Sequence, residues 1–388
     1  PMSKPLRVAH IARNPNTGVA SVISALVRAQ KLRGLDVSIV LLKSAGWVPP
    51  RLIRDLPCPV HSSPYVFGTA AFAYHTVCTG RENWSRSVLD SERPLVLHYH
   101  NAWLSGALML KNRLPGVVQL VTYHGLASDE QLKRQPLRRA IHGCWARRVE
   151  RQAHAIVSVD AATPDSAANL FGVDSQRFVH IPNGTPPIDF CAPNANKTDN
   201  QIVVGHIGLI DEVKGWRITA EAVDRARTRG VNAMLVMAGD GPDADEAKAW
   251  CQARPDYCYY LGWVDNVAQD VLPKIDVLAM ASRTEGMPMA ALEAVSVGMP
   301  VVCTKVGGLP EVIRHGMEGL LVERNPESFT SAIVSLGRAP DVLQRMRHNC
   351  RQRWSDHFTD KIMEARYYQL YLDTLAGAKQ SQSGELVK

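Results

Sequence analysis

Two glutamates eight residues apart, Glu285 and Glu293, bracket the turn of the stretch DVLAMASRTEGMPMAALE, which runs from Asp276 to Glu293. An apolar strand-like run ends at Met280 or Ala281, a loop follows, and a helix is predicted to begin near Pro288, because proline suits a first helical turn. The amides of Gly286, Met287 and Met289, with the positive end of that helix, offer a seat to a phosphate or a sugar hydroxyl. On one continuous helix the two acids would stand about 12 Å apart. A glycoside hydrolase needs its carboxylates roughly 5 to 9.5 Å apart, so these acids are better suited to grip different parts of one ligand. A carboxylate accepting two vicinal hydroxyls is a natural partner for ribose or a pyranose, at roughly 1.5–3 kcal/mol per charge-assisted bond. Spacing alone leaves open the plainer alternative of a surface glutamate on a helix and an acid in a loop.

Metal and redox chemistry find less support. His98 and His100, in HYHN at a predicted strand end, lack a third ligand in the sequence, so no metal is expected. Asp243 and Asp245 imitate the Asp-x-Asp of metal-dependent transferases, but they follow the turn Gly239-Asp-Gly-Pro242 and read as the cap of a helix. The 8 cysteines show no C-x-x-C spacing, which predicts reduced thiols rather than a disulfide framework or a zinc ribbon.

These residues must be held by an α/β frame. The runs 6–11, 36–42, 95–99, 117–123, 155–159 and 177–181 read as strands separated by helices, the pattern of a parallel sheet covered on both faces. Between Pro182 and Gln201 the chain turns rich in Pro, Asn and polar residues. A second series then follows at 202–207, 233–238, 257–261, 277–280, 300–303 and 320–322. The expected architecture is α/β, with two doubly wound Rossmann-like domains facing a cleft. Its expected boundaries are 1–185, a linker at 186–200, 201–354, and a C-terminal helix over 355–388 that returns to the first domain and frays from Gln380. Ligands in such sheets sit at the carboxyl ends of the strands.

The charge is uneven. Residues 1–190 hold 22 Lys and Arg against 12 Asp and Glu, and the remainder 22 against 25. Much of the excess lies in residues 131–154, where Lys133, Arg134, Arg138, Arg139, Arg147, Arg148 and Arg151 run beside a predicted apolar stripe of Leu132, Leu137, Ile141, Trp145 and Val149. That helix reads either as a solvated core helix or as one attracted to an anionic membrane surface. No nucleic-acid reader motif accompanies it, so nucleic acid is not an expected partner. No apolar run reaches the roughly 18 residues of a membrane span, and Pro1 to Pro5 is followed by too short an apolar stretch for a signal peptide. The expected location is cytoplasmic, peripheral at most on the inner membrane.

The segment from Asp276 through Val322, with Met237–Pro242, Leu261–Asn266, the turn Gly307-Gly-Leu-Pro-Glu311 and Ile181–Gly184, resembles the donor signature of the retaining, GT-B-fold glycosyltransferases of family 4. That resemblance implies transfer of a hexose or N-acetylhexosamine from a nucleotide-diphosphate sugar, UDP rather than GDP by family frequency, to a glycan or lipid-linked acceptor in polysaccharide or lipopolysaccharide synthesis. It implies that Glu285 contacts the transferred sugar, that Glu293 holds the ribose, and that Gly286, Met287, Pro288 and Met289 bind sugar hydroxyls and diphosphate. Gly208 and Lys214 fall in the stretch resembling the family's glycine-led strand end, where Lys214 would meet the diphosphate. The family's arginine there is Leu209 in this chain, so either Lys214 acts alone with helix amides, or another cation such as Arg13, Arg283 or Lys305 reaches in, or activity is low. Gly18, in Pro15-Asn-Thr-Gly18, resembles the glycine-rich first loop, although alone it reads as a helix-start glycine. His124 matches the histidine that contacts the donor sugar, while His98, His100 and Asn101 would line the acceptor side. The implied mechanism is front-face attack without cofactor or metal, assembled by domain closure. The alternatives are a sugar-nucleotide epimerase and a non-catalytic binder of sugar nucleotides or polyanions.

Overall fold

The computed structural model describes residues 5–13, 17–43, 51–64, 94–101, 116–126, 135–189 and 201–385. The chain forms two compact units: Pro1–Gly184 joined by Asp360–Lys388, and Thr185–Thr359. Residues 190–200, most of the expected linker, lie outside the described residues, as do Lys133 and Arg134.

The first unit runs through β1 (Arg7–Arg13), α1 (Thr17–Leu32), β2 (Asp36–Lys43), β3 (Val60–Pro64), β4 (Leu95–His100), β5 (Val117–Tyr123), α2 (Pro136–Gln152), β6 (Ala155–Ser158), α3 (Thr163–Phe171) and β7 (Phe178–His180). Its sheet has the order β3-β2-β1-β4-β5-β6-β7, and the pairings of β1 with β2 and β4, and of β4 with β5, are parallel. β4 is buried at every position, as expected of a central parallel strand with helices on both faces.

In the second unit follow β8 (Gln201–Ile207), α4 (Trp216–Thr228), β9 (Asn232–Ala238), α5 (Ala244–Gln252), β10 (Cys258–Tyr260), β11 (Val277–Met280), α6 (Met289–Ser296), β12 (Val301–Thr304), β13 (Gly319–Val322), α7 (Pro326–Gly337) and α8 (Pro340–His357). The sheet order is β10-β9-β8-β11-β12-β13. This is a doubly wound sheet whose strand order reverses between β8 and β11, where an open α/β sheet leaves a crevice. The last helix, α9 (Asp360–Glu385), belongs to the first unit. There it buries Tyr367 and Tyr371 and seats Glu364 against Arg33.

Five expectations need correction. The stripe on α2 holds only in part: Val149 is buried as expected, but Leu137 and Ile141 are exposed, and Gly143 and Ala146 complete the buried face, because small residues let the helix approach the cluster of Ala167, Leu170 and Phe171. Cys251 and Cys258 form a disulfide with Cα atoms 4.8 Å apart, since the end of α5 and the start of β10 meet across a short turn. Asp243 occupies a cap position but makes no side-chain cap bond. Its Oδ2 accepts instead from Trp216 Nε1 at 3.0 Å and from an Arg217 Nη at 2.8 Å. The C-terminal helix does not fray at Gln380 but continues to Glu385. Finally, β3 pairs with β2 where no strand was expected. Among the described residues, no helix is long and apolar enough to cross a membrane.

Trp216 anchors the core of the second unit, fully buried in contact with the apolar faces of its sheet and helices. Trp216→Ala is expected to cost about 3–5 kcal/mol of that unit's stability, read as a fall in the urea midpoint. An unchanged midpoint would contradict this packing.

Candidate functional site

At the strand-order reversal of the second unit, the loops after β8 and β11 leave side by side. After β8 come Gly208, with a φ of 129°, and Leu209, which is 48% exposed. Asp211 then turns the chain by accepting the Lys214 amide at 2.7 Å. After β11 the Arg283 amide donates to the Val213 carbonyl at 2.8 Å, tying the two loops together. This brings Lys214 Nζ within 2.7 and 2.8 Å of the two carboxylate oxygens of Glu285. Ser282 Oγ donates to Glu285 Oε1 at 2.7 Å, and Thr304 Oγ1 holds the Ser282 carbonyl at 2.7 Å. The Glu285 side chain is 7% exposed and that of Lys214 is 32% exposed, so the acid is enclosed while the amine keeps an open side.

The backbone beyond Glu285 is pinned by a pair of glycines, Gly307 and Gly308. The Gly308 amide donates to the Gly286 carbonyl at 2.7 Å. At Gly307, whose φ is 52°, an added Cβ would come within 2.1 Å of the Glu285 carbonyl oxygen. Pro288 is the residue before α6 and not in its first turn, with ψ at 127°. Having no N–H, it donates nothing to a ligand, and its carbonyl accepts from the Ala291 and Leu292 amides. Met287 and Met289 bury their side chains at 4% and 8% exposure, so their contribution to a ligand is limited to the backbone. The Met289 and Ala290 amides that lead α6 have no carbonyl one turn earlier in the helix to bond and give it an electropositive end four residues after Glu285 in the sequence.

Glu293 lies on α6, about one turn from that end. Its side chain is half-buried, and burial raises its carboxyl from 4.5 to about 7. Among the described residues no group bonds to this carboxyl. Of the cations expected to stand in for Leu209, Arg283 pairs with Glu212 at the surface, Lys305 is exposed just after β12, and Arg13 ends β1 in the other unit. The sequence reading missed Arg324, whose Nε donates to the Ala281 carbonyl at 2.9 Å. Burial and the neighbouring Arg283 lower its pKa. Its position two residues after the β13 run was the available signal.

In the first unit the matching strands β1, β4 and β5 carry a cluster of histidines. His98 and His100 were expected to line an acceptor pocket and to lack a third partner, and both expectations fail. They are 0% and 3% exposed, because alternate residues of a strand share one face and this face is covered by α9. His10, paired in register with His98 across the sheet, completes a trio with ligand atoms within 4.8 Å of one another. Its ring nitrogens are spent on hydrogen bonds: His10 to His100 at 2.9 Å and to Gln30 at 2.8 Å, and His98 to the Tyr371 hydroxyl at 2.7 Å and to Thr122 at 2.8 Å. His100 also reaches His124 at 3.0 Å. His124, at the end of β5, is partly exposed. Asn101 follows β4 in a left-handed conformation, φ 76°. Gly18 is exposed at the start of α1, whereas Pro15 and Asn16 of its loop lie outside the described residues.

Comparison with known proteins places both units. Residues 201–338 match the family model "Glycosyl transferases group 1" and residues 17–184 match "Glycosyl transferase 4-like domain". The chain is 27% identical over 295 residues to a D-inositol 3-phosphate glycosyltransferase of Segniliparus rotundus, covering 69% of this chain and 62% of that protein. It is 26% identical over 305 residues to a UDP-Gal:alpha-D-GlcNAc-diphosphoundecaprenol alpha-1,3-galactosyltransferase of Escherichia coli, covering 74% and 77%. The chain spans 48% to 62% of the length of the first curated relatives it matches. The crystal structure of Anabaena Alr3699/HepE in complex with UDP superposes with a TM-score of 0.74 at 16% identity, over 95% of this chain and 100% of that one. At that identity the likeness establishes the fold.

The Glu293 carboxyl gives a signed pH dependence. In the unfolded chain it titrates near 4.5 and in the folded chain near 7, so folding binds a proton between these values and the stability it contributes is lost as pH rises through that window. Relative to the wild type, Glu293→Gln is expected to gain stability as pH rises from about 4.5 to 7 and to hold that gain above it. Paired urea titrations at several pH values check this, and a difference independent of pH would refute it.

Proposed function

The chain belongs to the group 1 glycosyltransferases, and we propose that it transfers a hexose or N-acetylhexosamine from a nucleotide-diphosphate sugar to a hydroxyl of a glycan or lipid-linked acceptor, with retention at the anomeric carbon. The observation that carries this reading is the Lys214–Glu285 pair set against the amino end of α6, with the unpartnered Glu293 carboxyl farther along the same helix. Glu285 would orient the transferred sugar and Glu293 would accept the two hydroxyls of the ribose, its proton lost as the diol arrives. Lys214 has three N–H donors and spends two on Glu285; the third, on its open side, meets the diphosphate.

Retention is supported by the bonding of Glu285. Both of its oxygens are held by Lys214, and one also by Ser282, which leaves it poorly placed to attack an anomeric carbon as a nucleophile. Front-face attack then needs what these residues supply, positioning and stabilisation of the charge that grows on the departing phosphate. We assign that stabilisation to Lys214, the end of α6 and Arg283, in place of a metal ion. The Arg283–Glu212 pair is exposed, and such pairs contribute about 0–1 kcal/mol, so Arg283 is cheaply released to a ligand.

UDP as the carrier is supported by the UDP held in the Anabaena structure, and a lipid-linked acceptor by the Escherichia coli relative. A role in lipopolysaccharide or other surface polysaccharide synthesis at the cytoplasmic membrane face follows from the same reading. The exposed Leu137 and Ile141 on α2, beside exposed Arg138, Arg147 and Arg151, suit the surface of an anionic bilayer.

Glu285→Gln is expected to lower kcat by about a thousandfold, roughly 4 kcal/mol of transition-state stabilisation, with nucleotide affinity nearly kept. Glu293→Ala is expected to weaken UDP binding by about ten- to a hundredfold, near 1.4–2.8 kcal/mol, with a smaller effect on kcat. Calorimetric titration with UDP and turnover of UDP-sugars on a polyprenyl-linked acceptor measure both. Wild-type behaviour in both variants would remove the proposal.

A further inference from the structure

Behind His124 the first unit buries a chain of hydrogen bonds that has a direction. The Gln30 Oε1 atom, 2.8 Å from His10 Nε2, can only accept, so His10 carries its proton on Nε2 and its Nδ1 is bare. His100 Nε2, 2.9 Å from that bare nitrogen, must then be the donor, which leaves His100 Nδ1 bare in turn. His124 Nε2, 3.0 Å from it, must donate as well. The chain ends at His124 Nδ1, an enclosed nitrogen with no hydrogen-bond partner.

The deduction requires neutral rings, and burial provides them. Desolvation lowers His10 and His124 to about 4 and, helped by the neighbouring histidines, holds His98 and His100 well below the ordinary range. It also requires the Gln30 amide to face as it does. Gln30 Nε2 donates to the Tyr371 hydroxyl at 3.2 Å, whose own proton is directed to His98 Nδ1 at 2.7 Å. His98 Nε2 then donates to Thr122 Oγ1 at 2.8 Å, and Thr122 faces the Tyr367 hydroxyl at 3.0 Å. Turning the amide would reverse every bond and end on an enclosed, orphaned N–H, which folded proteins tolerate less often than an unfilled acceptor.

We propose that Gln30, His10 and His100 are positioning residues that fix His124 as its Nε2–H tautomer, so that His124 Nδ1 is an acceptor and any ligand group that reaches it must be a hydroxyl or other donor. This rests on the reading that His124 faces the transferred sugar. A sugar hydroxyl satisfies the bare nitrogen, whereas an ether, ester or deoxy position leaves it unpaired. Sites built to bond a hydroxyl reject analogues lacking it far more strongly than apolar pockets reject a misfit. Gln30 and Tyr371 touch no ligand in this scheme and act only through the direction they give the chain.

The test is a long-range proton–nitrogen NMR spectrum of the full chain with labelled histidine, without ligand, between about pH 6 and 8. His124 is identified by the signal that disappears in His124→Gln. The expected result is a proton on Nε2 and a bare Nδ1 for His124, His100 and His10 alike. A proton on His124 Nδ1, or an even mixture of tautomers, overturns the proposal, and this measurement needs no variant of the relay. In a second arm, Gln30→Met removes the acceptor from His10, and it is expected to mix the His124 tautomers and lower kcat/KM by about tenfold. A Gln30→Met protein with the wild-type His124 spectrum also overturns it. Should Glu285 and Glu293 variants leave nucleotide binding and transfer intact, the proposed function fails while the spectrum still reports on the relay.

Discussion

The second unit depends on one interaction, the double hydrogen bond from Lys214 to Glu285. A carboxylate enclosed to 7% exposure is costly to desolvate unless a cation and further donors meet it. Lys214 and Ser282 do so, and they can because β8 and β11 are neighbours whose following loops leave the sheet together. The amide of Arg283 on the Val213 carbonyl locks one loop to the other. A glycine is required where the turn at Gly307 presses on the Glu285 carbonyl, because any side chain there would push the acid out of line. The sheet order, two loops and one glycine turn thus converge on the position of a single carboxylate.

The first unit solves a similar problem without charge. Its central strands place His10, His98, His100 and Thr122 on the face that α9 covers, and each buried ring is held neutral by desolvation and bonded on both nitrogens. Low polarity strengthens such a network and makes any gap in it expensive. The one gap is at His124, at the strand's end. The network also binds residues 341 positions apart in sequence, Gln30 and Tyr371. The first unit therefore cannot complete its polar core until the last helix of the chain is made, which makes its folding depend on contacts of long sequence separation.

Much of this frame was legible. Strands buried on both sides, such as β1, β4 and β5, announce themselves as continuous apolar runs, and the second series is equally plain. The strand β3 did not, because VHSSP at a sheet edge needs no apolar face. The helix α2 misled because beside Val149 it packs through Gly143 and Ala146, small residues that periodicity counts poorly, while Leu137 and Ile141 face outward. His10 escaped as the third histidine because it sits 88 residues before His98 in sequence and only the parallel register of β1 and β4 brings them together. For Glu285 and Glu293, spacing excluded hydrolase geometry, and resemblance supplied the assignment to sugar and ribose. That Lys214 and Glu285 would join lay beyond both, since loop geometry is set by backbone contacts that no local pattern encodes.

The substitution of the family's arginine by Leu209 becomes intelligible through the balance of charge around the loops. Lys214, Arg283 and Arg324 face Asp211, Glu212 and Glu285, three cations against three acids. A doubly charged phosphate group arriving at a balanced site must recruit positive charge from an existing pair. The Lys214–Glu285 pair is the wrong source, because freeing it would strand an enclosed carboxylate. The Arg283–Glu212 pair is the right one, because the Glu212 side chain is 62% exposed and water receives it at little cost. Glu212 turning to solvent would leave Arg283 and Arg324 as neighbouring cations, their mutual repulsion relieved by the incoming anion. On the proposed reading, the positive charge that an arginine at 209 would hold permanently would be kept in reserve on the surface Arg283–Glu212 pair and released by the incoming ligand.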